Sequence, residues 1–149
     1  MLARLEAAWA AFNASYAGLR DDELSEPGVV DEWSIKELIA HVTWWEEEAL
    51  EHLPLILAGG RPPRYSVKYG GIDAFNAEQT ARRQDRSLDE IRREAEATHG
   101  RLLAYLATVP EEQFTRETRF RRRLRLDTYG HYPLHTAQIS AWRAGRESG

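Results

Sequence analysis

Five histidines stand out among the residues able to do chemistry: His41, His52, His99, His131 and His135. Two of them, His131 and His135, are four residues apart on a predicted helix, so their rings project from one face and can share one ion. Zinc metalloproteases use the same spacing on a helix, with a glutamate directly after the first histidine. Tyr132 occupies that place here, which rules that reading out. His41 lies on another predicted helix beside Leu38 and Trp45, at the edge of the core-facing surface. It is either a third ring meeting the pair or a core-edge histidine bonded to a backbone carbonyl, and spacing does not separate the two. Three converging neutral imidazoles would suit Zn, Ni, Cu or Fe(II) better than Mg or Ca. Three protein ligands also leave a coordination position open, the pattern of catalytic rather than structural zinc. His52 and His99 have charged neighbours and read as surface residues.

The elements that must position these rings follow from apolar spacing. Leu2, Leu5, Trp9, Phe12, Tyr16 and Leu19 recur at steps of three and four, which predicts a first helix over residues 2–20. Residues 21–31 contain Pro27 and Gly28 and read as a loop. Ser34 and Glu37 then form a capping box, with Trp33 and Leu38 placed for a hydrophobic staple. The second helix carries Ile35, Leu38, Ile39, Val42, Trp45, Ala49 and Leu53 on one broad face. It must end by Gly59-Gly60, which Pro62-Pro63 follows. A long connection follows, with a short helical stretch from about Asp73 to Gln84. Ser87 and Glu90 then repeat the capping box before Leu88, Ile91, Ala95, Thr98, Leu102, Tyr105 and Val109. Residues 111–126 read as charged and irregular, with a short doubtful strand-like run over 120–126. A last helix runs from an N-cap at Asp127 to about Gly145, and Pro133 inside it should kink it or tighten its first turns. The reading is an all-α single domain over residues 1–149: a four-helix bundle with a long connection between helices 2 and 3.

Composition narrows the function classes. The chain has 149 residues, enough for one well-buried core. Cysteine is absent, which excludes disulfides, thiolate metal sites, Fe–S clusters and a cysteine nucleophile, and suits a reducing cytoplasm. Glu6 and Trp9 interrupt what would have to be the apolar core of a signal peptide, and no stretch has the length of a membrane helix. A formal charge of -4 argues against a general nucleic-acid binder.

Three further features carry a functional and a plain reading. Arg116, Arg119, Arg121, Arg122, Arg123 and Arg125 could meet an anionic thiol, an acidic substrate or nucleic acid. Glu111, Glu112 and Glu117 dilute that field and favour a solvated connection. Trp44 and Trp45 are adjacent and should not share one core face, so one of them could line a pocket near His41 or a dimer contact. Glu46, Glu47 and Glu48 could supply a base or a partner to a metal ligand, but a solvated acidic face is the plainer account.

The segments Glu32–His41 and Tyr129–Ile139 resemble the DinB/YfiT-like superfamily of four-helix-bundle proteins. Asp73–Glu78 with the Ser87 helix resembles the branch that includes DfsB-like and colibactin-self-resistance-like proteins. The resemblance implies a divalent-metal site made by a histidine of the second helix and an H-x-x-x-H of the last, here His41, His131 and His135. Many members of the self-resistance branch lack that triad, so the chain is not a close copy of them, and Pro133 between two of the ligands is a further departure. The resemblance also implies metal–thiol chemistry: a thiol S-transferase or hydrolase acting on a small electrophilic or toxic compound. Zn would be the first choice of ion, Ni or Fe the others, and a low-molecular-weight thiol would be the co-substrate. It implies a cytoplasmic homodimer with a small-molecule substrate and neither nucleic acid nor membrane as partner. No catalytic side chain is assigned. The competing expectation is a non-catalytic small-molecule binding or sequestering protein of stress or self-resistance. A nucleic-acid-associated role rests on the arginine run alone.

Overall fold

The computed structural model describes residues 1–149, and the chain is all-α. Four long helices make the bundle: α1 (Leu2–Ser15), α3 (Ile35–Leu57), α6 (Leu88–Leu106) and α9 (Tyr132–Ser148). Between them lie α2 (Asp21–Leu24), α4 (Tyr65–Lys68), α5 (Ile72–Arg83), α7 (Glu112–Thr115) and α8 (Arg119–Asp127).

The centre of the molecule is α3, packed against α5, α6, α8 and α9, while α1 packs on α9. Its start is set by sequence. The Ser34 hydroxyl accepts from Glu37 N (3.3 Å), and the Glu37 carboxylate accepts from Ser34 N (3.1 Å). Its end is set by Gly59, whose φ of 90° lets the chain leave the helix as Gly59 N–H bonds to Ile56 O. Every residue from Leu38 to Glu46 is buried. Such a helix has no solvated face, and both Trp44 and Trp45 are therefore buried rather than divided between core and surface.

The first helix stops at Ser15, short of residue 20, and the following stretch forms the extra turn α2 inside the expected loop. The largest departure is α8. Residues expected to be irregular form a nine-residue helix whose N-cap, Thr118, accepts from Arg121 N (3.0 Å). Phe120, Leu124 and Asp127 recur at helical spacing and are all buried against the bundle. The last helix begins later than expected, with His131 rather than Asp127 at its N-cap, and runs on to Ser148. Pro133 therefore sits in its first turn, where a missing N–H costs nothing, and causes no kink.

A sharp turn joins α8 to α9. Gly130 N–H bonds to Arg125 O (2.8 Å), and a Cβ at residue 130 would meet that oxygen at 2.7 Å, so only glycine fits there unshifted. This turn delivers His131 to the bundle.

Candidate metal centre

His41 projects from α3, and His131 and His135 project from the N-terminal end of α9. The helix-to-helix packing brings all three Nε2 atoms together. His131 Nε2 lies 3.0 Å from His41 Nε2 and 2.9 Å from His135 Nε2. The rings are steeply inclined to one another, with interplanar angles of 73°, 89° and 81° and centroids 4.6–4.8 Å apart. Three lone-pair nitrogens thus face a common point from three directions.

The surroundings keep these rings neutral. Burial first, then the nearby His131 and His135, pushes His41 down to about 2. Burial first, then His135, takes His131 down to about 3, against the backbone carbonyl of Asp127. Burial also lowers His135, partly offset by Gln138. His135 Nδ1 donates to Gln138 Oε1 (2.7 Å), which leaves its Nε2 as the lone-pair nitrogen. Nδ1 of His41 and Nδ1 of His131 are buried without a hydrogen-bond partner. A closed set of three neutral bases contains no acid to share a proton with, which fits a cation better than a hydrogen-bonded network. Nitrogen-only donors suit Zn, Ni or Fe(II).

Tryptophans wall the triad. Trp33 and Trp44 pack on His41 (ring centroids 4.9 and 5.0 Å), and Trp45 lies 6.4 Å from His131. Asn76 of α5 fixes two of them, since its Oδ1 accepts from both Trp44 Nε1 (3.1 Å) and Trp45 Nε1 (3.2 Å). Trp33 and Asn76 also line an open groove of about 510 Å³ beside the site.

Several side chains lie elsewhere than the sequence suggested. His99 is 4 % exposed and stacks on Trp9 at 3.9 Å, and His52 is 6 % exposed; neither is a surface residue. Glu46 and Glu48 are buried instead of lying on a solvated acidic face, and half-buried Glu47 pairs with buried Arg83 (2.9 Å). Glu46 Oε1 accepts from Tyr132 O–H (2.6 Å) and His99 Nδ1–H (2.9 Å), joining α3, α6 and α9 at one carboxylate. Tyr132 thus bonds Glu46, and burial, then Glu46, raises its hydroxyl well above the ordinary range. A signal for Glu46 was present: it falls on the stripe Ile39, Val42, Ala49 and Leu53, at the same three-and-four spacing. The arginine run is largely structural. Arg119 donates to Gly60 O (3.0 Å), and half-buried Arg123 pairs with Asp127 (2.6 Å) and donates to Tyr65 Oη (2.7 Å).

An all-α bundle with a buried three-histidine cluster between its second and last long helices defines a class: helical-bundle proteins with a candidate metal centre. Within that class, residues 4–139 match the model of the DinB superfamily, and the chain belongs to that superfamily, whose members commonly bind divalent metals. Among solved structures, it is similar to the one described as Sibling Lethal Factor Precursor, DfsB. That match has a TM-score of 0.77 and 19% identity over 96% of this chain and 92% of that one. It is also similar to an uncharacterised protein from Escherichia coli UTI89, with a TM-score of 0.79 and 11% identity over 98% and 92% of the two chains. At these identities the likeness is one of fold. No curated protein matches the chain. No helix is long and apolar enough to cross a membrane.

Proposed function

We propose that the chain is a metal-dependent enzyme that holds one divalent ion on His41, His131 and His135 and promotes attack by a thiol or water on a small electrophilic compound. The observation that carries this reading is the convergence of three buried, neutral Nε2 atoms within hydrogen-bond distance of a common member, His131. An ion there supplies Lewis acidity, which lowers the pKa of a thiol or water ligand toward neutrality. The chain's own groups do the rest. Gln138 holds the His135 tautomer, burial keeps the imidazoles unprotonated, and Trp33, Trp44 and Trp45 exclude water from around the rings. In thiol transfer the sulfur–carbon bond forms as a halide departs, with the thiol proton passing to solvent, or as an epoxide ring opens, with a proton ending on the freed ring oxygen.

The test is turnover of a panel of epoxides and alkyl halides with a low-molecular-weight thiol by zinc- or nickel-loaded protein, beside His41→Ala. Turnover by the parent, lost in a variant whose circular dichroism is unchanged, supports the enzyme. A second reading, a sequestering protein, is favoured by Glu46, the carboxylate tied to Tyr132 next to His131, because its Oε1 is already engaged by two donors. In that case a ligand protects the protein from unfolding, nothing turns over, and His41→Ala retains the protection.

A further inference from the structure

We propose a second divalent-cation site at the other end of the buried part of α3, made by Glu48, Glu51 and His52 and separate from the histidine triad. One ligand atom from each of these residues lies within 4.8 Å of the other two. The spacing places the two carboxylates at i and i+3 and the imidazole at i+4, on one side of the helix.

His52 is the informative residue. It is 6 % exposed, yet no hydrogen bond anchors its ring; Nε2 stands 3.5 Å from Glu48 Oε1, too long for a well-made bond. A nearly buried imidazole whose Nε2 faces a carboxylate without bonding it keeps that nitrogen available as a ligand. Glu48 is also buried, and its Oε1 is oriented by the Tyr65 hydroxyl (2.8 Å), which is held in turn by Arg123. Glu51 is exposed and closes the cluster toward solvent.

Two carboxylates one turn apart repel each other, and neither of these forms an ion pair with an arginine or a lysine. Arg123 is committed to Asp127 at 2.6 Å. Lys68 is drawn to Tyr69, which raises its ammonium pKa first, with Glu51 and Glu48 adding less; it sits over the Tyr69 ring at 5.2 Å and forms no ion pair with either glutamate. The cluster therefore presents negative field and a free nitrogen to a position that solvent can reach. One imidazole with two carboxylates suits Zn, Mn or Fe(II), and ligands drawn from a single exposed-sided helix turn make the site weaker than the triad.

The experiment is a Co(II) titration of the full chain, followed by visible absorption and by histidine ring NMR, beside the double variant Glu51→Gln, His52→Asn and the separate double variant His131→Ala, His135→Ala. Glu48 is left intact because it holds Tyr65. The expected result is two equivalents in the parent, a weaker phase that shifts the His52 ring, and at least a tenfold loss of that phase alone in the Glu51→Gln, His52→Asn protein. One equivalent in the parent, lost only on changing His131 and His135, overturns this site and leaves the triad standing. One equivalent lost only on changing Glu51 and His52 does the reverse. A weak phase that survives Glu51→Gln, His52→Asn also overturns the proposal.

Discussion

Two buried polar clusters lie within a few residues of each other on α3 and α9, and they are built on opposite principles. Around Glu46, one carboxylate Oε1 receives a hydroxyl from α9 and an imidazole N–H from α6, so both donors find an acid to accept from. Around His41, three imidazoles meet with no acid among them, and two of their Nδ1 atoms are buried without partners. The first cluster pairs an acid with two donors, although the other carboxylate oxygen, Glu46 Oε2, is buried without a partner. The second brings three Nε2 atoms together as a donor set that a cation would complete. Tyr132, directly after His131, links the two, so its bond to Glu46 fixes the register of the helix that carries His131 and His135.

The sharpest way to break this contrast is Glu46→Ala. It leaves Tyr132 O–H and His99 Nδ1 without their shared acceptor, and should cost about 3 kcal/mol in urea denaturation. Metal affinity should fall with it, since α9 loses its anchor to α3. Unchanged stability would mean that the carboxylate joins nothing.

Acid separates the clusters next. His41 and His131 have folded-state values near 2 and 3, below their ordinary value of 6.5. An unfolded chain thus binds protons that the folded one refuses, so stability should be fully present above about pH 6.5 and lost as pH falls toward 3. Asp127 works in the opposite sense. Burial, against Arg123, pushes its carboxyl up to about 7, so its contribution is present below about pH 4 and lost as pH rises through 7. Asp127→Asn should therefore steepen the acid loss measured by denaturation across that range. A metal-free Asp127→Asn protein equally stable at pH 4 and pH 7 would contradict the neutral-triad account.

Gly130→Ala comes third. Its Cβ would strike Arg125 O, and the strained turn should cost about 2 kcal/mol while moving His131 relative to His41. Ser34→Ala is the mildest change: it removes the cap of α3, far along the helix from Glu46, and should lower stability by about 1 kcal/mol with metal affinity retained.

The sequence made the bundle readable where a helix buries one stripe. The apolar spacing of α1, α3 and α6 and the capping boxes at Ser34 and Ser87 were visible because each pattern is local. It failed on α8, where five arginines hide Phe120 and Leu124, although these two are four residues apart and wholly buried. It failed again on Glu46, Glu48, His52 and His99. Polar residues were assigned to a solvated face, but α5, α6, α8 and α9 pack around α3 and cover Glu46, Glu48, His52 and, on α6, His99. The pairing of His131 with His135 was legible from helical spacing. The meeting of that pair with His41 depends on how two helices distant in sequence pack, which no local pattern encodes.

The central claim is that the triad binds an ion, and the direct measurement is elemental analysis of untagged protein purified without chelator, beside the His131→Ala, His135→Ala double variant. The account predicts near-stoichiometric zinc, nickel or iron bound tightly enough to survive dialysis in the parent, and loss of that tight ion in a variant that remains helical by circular dichroism. A parent that holds no metal even after reloading with zinc or nickel would contradict it.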